Sequence, residues 1–128
     1  MGTIIVMSCK IPRKSSASPA PASNTPLAAN PVSKPADGIY PPGTEELLAI
    51  QVQYKDATLL KLEEGYTLYA KGACINCHVA SNIYVHDQWQ WIDIIEDMAR
   101  RARITDEQKD AVTKYVLAIK AAQPKAPN

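Results

Sequence analysis

Phenylalanine is absent from this chain of 128 residues, and glycine occurs only five times, histidine and tryptophan twice each. Neither a P-loop nor a glycine-rich dinucleotide fingerprint is present, and nothing resembles a Ser/His/Asp constellation for nucleophilic catalysis. Long apolar runs are missing too: the longest near the start is Ile4-Ile5-Val6-Met7, whereas a membrane span needs about 20 residues. No charge of one sign dominates. A formal net charge of +1 excludes the strongly basic balance of a nucleic-acid-binding domain, and an apolar content of 46% excludes wholesale disorder. At about 100–200 residues per domain, the length suits one small domain and excludes a two-domain enzyme.

The averages combine two unlike parts. Residues 1–44 hold eight of the ten prolines and a net charge of +3, which leaves −2 for residues 45–128. Residues 10–44 are a Pro/Ala/Ser mixture without a period of 2 or 3.6 and read as a disordered or PPII-biased tether, able to reach roughly 50–100 Å. At Thr44 the composition turns to Leu, Glu, Tyr and Ile, so the folded domain is expected over 45–123, with a tail at 124–128 after Pro124. Only about 84 residues then remain to build a core, which is thin by the surface-to-volume scaling of small domains. Something besides side chains is needed to fill it.

Within that region the periodicity predicts an all-α fold of about three helices. Residues 45–55 are an irregular lead-in, because Ile50, Val52 and Tyr54 alternate as in a strand while Glu45 to Ala49 look helical. Asp56 is the expected cap of a helix over 57–71, whose stripe runs Leu59, Leu62, Tyr66, Tyr69 and which Gly72 stops. Asp87 opens a second helix over about 88–102, with Trp91, Ile94 or Ile95, Met98 and Ala102 on one face. Arg100, Arg101 and Arg103 gather at its C-terminal end, where cations suit the helix dipole or could guide an acidic partner. Thr105 and Gln108 form a capping box for a third helix that buries Val112, Tyr115, Val116 and Ile119.

Between the first two helices lies Cys74-Ile75-Asn76-Cys77-His78, the attachment pattern of c-type haem. Two thiols three residues apart can add to the two vinyl groups of one porphyrin, and the following imidazole becomes the proximal ligand of the iron. A thioredoxin-like dithiol needs a βαβ setting that the flanking helices do not provide. A zinc site from Cys74, Cys77, His78 and His86 lacks a second cysteine pair and finger spacing. A covalently held porphyrin, by contrast, is a large flat apolar body that supplies the missing core.

At this point the chain resembles the small class I c-type cytochromes, over about residues 57–120. Gly65 and Tyr69 on the first helix, with Val112 and Tyr115 on the last, match positions where the first and last helices of that family cross. The run from Trp91 through Met98 into ITDEQKDAVTKYVLAIK resembles small haem subunits of periplasmic dehydrogenases. The resemblance implies a cytochrome c-like domain around one haem c, working as a monohaem electron carrier. Its partners would be other redox proteins, with no nucleic acid, and the haem domain would be monomeric and not itself an enzyme. A haem subunit of a dehydrogenase complex is the alternative, and a gas-binding or sensing haem follows if the distal position is open.

The sixth ligand can be a methionine, a second histidine or nothing. Met1 and Met7 fall in the expected leader, which leaves Met98 as the distal candidate, against a reading in which it only fills space in the core. His86 is the alternative ligand, or lies near a propionate, and Tyr84, Trp89 and Trp91 are further candidate propionate donors. Val6-Met7-Ser8-Cys9 looks like a lipobox, with Cys9 as the lipidated residue. Residues 1–9 supply neither the basic nor the long apolar region of a signal peptide, so the leader is read as truncated. The expected location is the periplasm or the outer face of the cell envelope, on a lipid anchor. A chain beginning near Gly43 is expected to fold and hold haem, because the tether shows no apolar period.

Overall fold

The computed structural model describes Gly2 and residues 34–123. It is all-helical: α1 (Thr44–Gln51), α2 (Leu59–Ala70), α3 (Gln88–Ala102) and α4 (Asp106–Ala122), with short 3₁₀ turns at Ala73–Asn76 and Ile83–Val85 between α2 and α3. No helix among the described residues is long and apolar enough to cross a membrane. Cys9, the rest of the expected lipobox and most of the expected tether lie outside the described residues.

Local chemistry explains the helix limits. Asp87 accepts from the Gln90 amide at 2.8 Å while Gln90 returns a bond to the Asp87 amide at 2.9 Å. Thr105 and Gln108 make the same reciprocal pair at 3.2 and 3.0 Å; this second box stands where the sequence places it, and Asp87 opens α3 as expected, with Gln90 as a partner the sequence reading did not name. At α2 the expected cap is corrected: Thr58, not Asp56, accepts from Lys61, and Asp56 instead pairs with the Lys114 ammonium at 2.6 Å. α3 ends on Arg103 in the left-handed region at φ 55°, with the amides of Arg103 and Ile104 both reaching the Ala99 carbonyl, a left-handed helix stop that glycine more often fills.

α1 is a further correction, since residues 45–55 read as irregular. The alternation there is fortuitous: Ile50 is buried against Leu62 and Leu117, whereas Val52 is exposed. The Glu46 carboxylate accepts from the amide of Gly43, the residue that precedes α1, at 2.8 Å and so fixes the start of the helix.

α4 is the central element, packed against the other three helices. At its crossing with α2, a Cβ on Gly65 would stand 2.1 Å from the Ala111 carbonyl oxygen and 2.7 Å from the Tyr115 Cβ. Only glycine lets the two backbones approach so closely. Tyr69 and Tyr115 fill the space beside the crossing, with ring centroids 6.0 Å apart. With no phenylalanine available, tyrosine and tryptophan form the aromatic core, and each buried polar tip needs a partner: Tyr69 Oη donates to the Ser81 carbonyl at 2.6 Å, Tyr115 Oη to the Tyr40 carbonyl at 3.0 Å and Trp91 Nε1 to the Ile83 carbonyl at 2.7 Å.

The expected boundary at Thr44 also moves. Tyr40 is only 4% exposed, its hydroxyl donates to Glu46 at 2.9 Å, and Lys34 pairs with Glu45 at 2.6 Å and Glu46 at 2.7 Å. The Asp37 carbonyl accepts from the Ile83 amide at 2.8 Å. Gly38, at φ +75°, turns the chain where a Cβ would come within 3.0 Å of Ile119 and Tyr84. Residues 34–43 are therefore a strap across the helices. An irregular segment that inserts one ring and shares its backbone carbonyls has no apolar period to detect.

Candidate functional site

α2 stops at Ala70, and Gly72 lets the chain turn tightly: a Cβ there would meet the Thr67 carbonyl oxygen at 3.1 Å. The following 3₁₀ turn carries Cys74 half-buried and leaves Cys77 and His78 exposed. Both thiols are free, and burial pushes the Cys74 thiol above its ordinary pKa, so it stays protonated.

His78 is oriented by its own backbone. Its Nδ1 lies 2.7 Å from the Val79 carbonyl oxygen. A carbonyl can only accept, so Nδ1 is the donor here, which leaves Nε2 as the ring nitrogen available to a metal.

Two cavities open between this segment and α3. The larger, about 330 Å³, has Cys74, Cys77 and His78 on one wall and Asp97, Met98 and Arg101 on the other. The smaller, about 90 Å³, reaches inward to Tyr69, His86, Trp91 and Ile94. Cys74, His78 and Met98 border both. The larger is already within the range of small-molecule and cofactor pockets, about 300–1,000 Å³. Among the described residues no three His, Cys, Asp or Glu side chains gather as they would around a bare metal ion.

The four residues expected at the site, Cys74, Cys77, His78 and Met98, are thus brought together around one space. His86 borders the smaller cavity alone, its ring edge-on to Trp91 with centroids 5.3 Å apart. Of the candidate propionate donors, Trp91 is committed to the core through its bond to Ile83, and Trp89 is 75% exposed. The Tyr84 hydroxyl is buried with no partner among the described residues. Arg100 and Arg101 share the Asp97 carboxylate at 2.9 and 2.7 Å, so part of their charge is neutralised on α3 itself. Sequence reading missed the acidic member of this group, which the i, i+3 and i, i+4 spacing from Asp97 could have revealed.

Paired thiols, an imidazole and a thioether thus face one largely apolar space, and such side chains could hold a metal-bearing cofactor there. No family model, curated protein or solved structure matches this chain.

Proposed function

We propose that this chain is a monohaem c-type cytochrome that passes single electrons between redox proteins. The observation that carries the reading is the convergence of His78, Met98 and both cysteines of the CxxCH pattern on one apolar-walled space. Cys74 and Cys77 would hold the porphyrin as thioethers, His78 Nε2 would be the proximal ligand and Met98 Sδ the distal one. When bound, haem supplies an iron that alternates between ferric and ferrous states.

The chain's own part is to keep that space unchanged between the two states. His78 is held in one tautomer by Val79, and Met98 sits on a helix closed at both ends by hydrogen bonds. Trp91 and Tyr69 are each buried and bonded to a carbonyl, which keeps water from the inner wall. With haem bound, a thioether and an imidazole as its ligands would favour the ferrous state and fill the iron's coordination, which suits electron transfer. The segment from a lipidated Cys9 to residue 33 would hold the domain near a membrane on the outer face of the cell envelope.

Acid–acetone treatment tests the attachment: pigment that stays on the chain supports thioethers at Cys74 and Cys77, and free haem in the extract refutes them. Met98→Ala tests the ligand. It is expected to lower the midpoint potential and let carbon monoxide or cyanide bind readily, whereas unchanged potential and ligand binding would remove Met98 from the iron.

A further inference from the structure

α3 serves as a ruler for the site. Trp91 and Arg101 are ten residues apart on it, or about 15 Å at 1.5 Å per residue. Cys77 borders only the cavity at the Arg101 end, while His86, Ser81 and Trp91 border only the cavity at the other end. The two vinyl groups of a porphyrin lie on one half of the ring and its two propionates on the other. A porphyrin anchored through the cysteines would therefore turn its carboxylates toward the His86 end.

Beside that end, bordering neither cavity but joined to His86, lies a cation without an ion-pair partner among the described residues. Lys120, on α4, donates from Nζ to the His86 carbonyl at 2.7 Å and is only partly exposed. Burial pushes its pKa down, and the charge of Asp87 offsets this only in part. Lys34, Lys61, Lys109 and Lys114 each have a carboxylate within ion-pair distance, but Lys120 has none among the described residues. The Asp87 carboxylate is engaged in capping α3. An ammonium withdrawn from water without a counter-charge is costly, and an arriving carboxylate would offset that cost.

We propose that His86 and Lys120 form an anion-binding end of the site, where His86 hydrogen-bonds a haem propionate while Lys120 holds the His86 backbone and supplies the counter-charge. This rests on the haem reading above. It makes His86 a propionate ligand rather than an iron ligand, and Lys120 a positioning residue that sets the potential, because a cation beside the haem favours the ferrous state.

The experiment uses the full haem-loaded chain and reads the midpoint potential together with the propionate bending band in resonance Raman spectra. Lys120→Met is expected to shift the ferrous/ferric balance about threefold to tenfold toward ferric, a fall of about 30–60 mV at 59 mV per decade. Lys120→Arg, which keeps the charge, is expected to restore it, and His86→Gln is expected to move the Raman band with the iron still low-spin. Unmoved potential and band in Lys120→Met and His86→Gln, with haem bound, overturn the proposal. So does loss of the low-spin iron in His86→Gln, which would make His86 an axial ligand. Extractable haem in the unaltered protein would instead overturn the haem reading itself.

Discussion

Replacing Tyr40 by alanine tests how the chain ahead of α1 is joined to the helices. Its ring is 4% exposed and packs in the same cluster as Tyr69 and Tyr115, and truncating a buried large aromatic costs about 3–5 kcal/mol. The hydroxyl is a separable part of this loss. It donates at 2.9 Å to the Glu46 carboxylate, itself 2% exposed, and a hydrogen bond to a charged group is worth about 1.5–3 kcal/mol. Tyr40→Phe is expected to lose that smaller amount, and Tyr40→Ala at least the larger. A folded unit of about 90 residues holds roughly 5–13 kcal/mol in all, so either change is visible in urea unfolding followed by far-UV circular dichroism, as a lower midpoint at unchanged slope. A chain beginning at Gly43 loses more. It lacks Tyr40, the Lys34 ammonium that pairs with Glu46, and the Asp37 carbonyl that accepts from Ile83, and it takes two side-chain partners from the buried Glu46 carboxylate. We expect it to fall well short of native stability, which reverses the sequence-based expectation. A Gly43 chain with the midpoint of the longer protein, or Tyr40→Ala within about 1 kcal/mol of it, would refute the strap.

Gly65→Ala drives a methyl into the Ala111 carbonyl at the α2–α4 crossing and is expected to cost about 3 kcal/mol or more; a thermal midpoint equal to that of the unaltered protein would show that the helices can part at no cost. Burial alone would raise the Glu46 carboxyl, but bonds from Lys34, the Gly43 amide and Tyr40 outweigh it and hold the pKa below its ordinary 4.5. A folded pKa depressed below the unfolded one gives stability that is complete above the unfolded value and lost as pH falls through the folded one. Glu46→Gln should accordingly flatten the loss of stability between about pH 5 and about pH 3, and parallel curves for the two proteins would remove Glu46 from that role. Cys9→Ser, in a chain with a complete leader, is expected to move the protein from the membrane to the soluble fraction, and continued membrane association would exclude a lipid at Cys9.

The helices legible from the sequence are those whose signals are local. Asp87 with Gln90 and Thr105 with Gln108 specify two starts within four residues each, and the stripes on α3 and α4 repeat often enough to give one period. The close approach of α2 and α4 was implied by the family resemblance at Gly65, Tyr69, Val112 and Tyr115, and in the structure Gly65 meets Ala111 and Tyr115 there. The CxxCH pattern and Met98 were readable for a similar reason: thiol, imidazole and thioether each have a narrow chemistry, and here the candidate residues are few. Long-range pairing was not readable. Asp56 seemed a helix cap, and only the fold shows Lys114, on a different helix, 2.6 Å from its carboxylate. Ile50, Val52 and Tyr54 imitated a strand because three alternating residues carry too little information to exclude one. The strap at 34–43 had no pattern at all, since its stability comes from one buried ring, a glycine at positive φ and backbone carbonyls offered to Tyr115 and Ile83. The juxtaposition of His86 with Lys120, 34 residues later, likewise arises only when α4 packs against the turn before α3. Sequence by itself determined the segments with repeating or chemically specific residues; tertiary structure decided which distant charges, carbonyls and rings meet, because those contacts depend on how helices pack and not on any residue's neighbours in the chain.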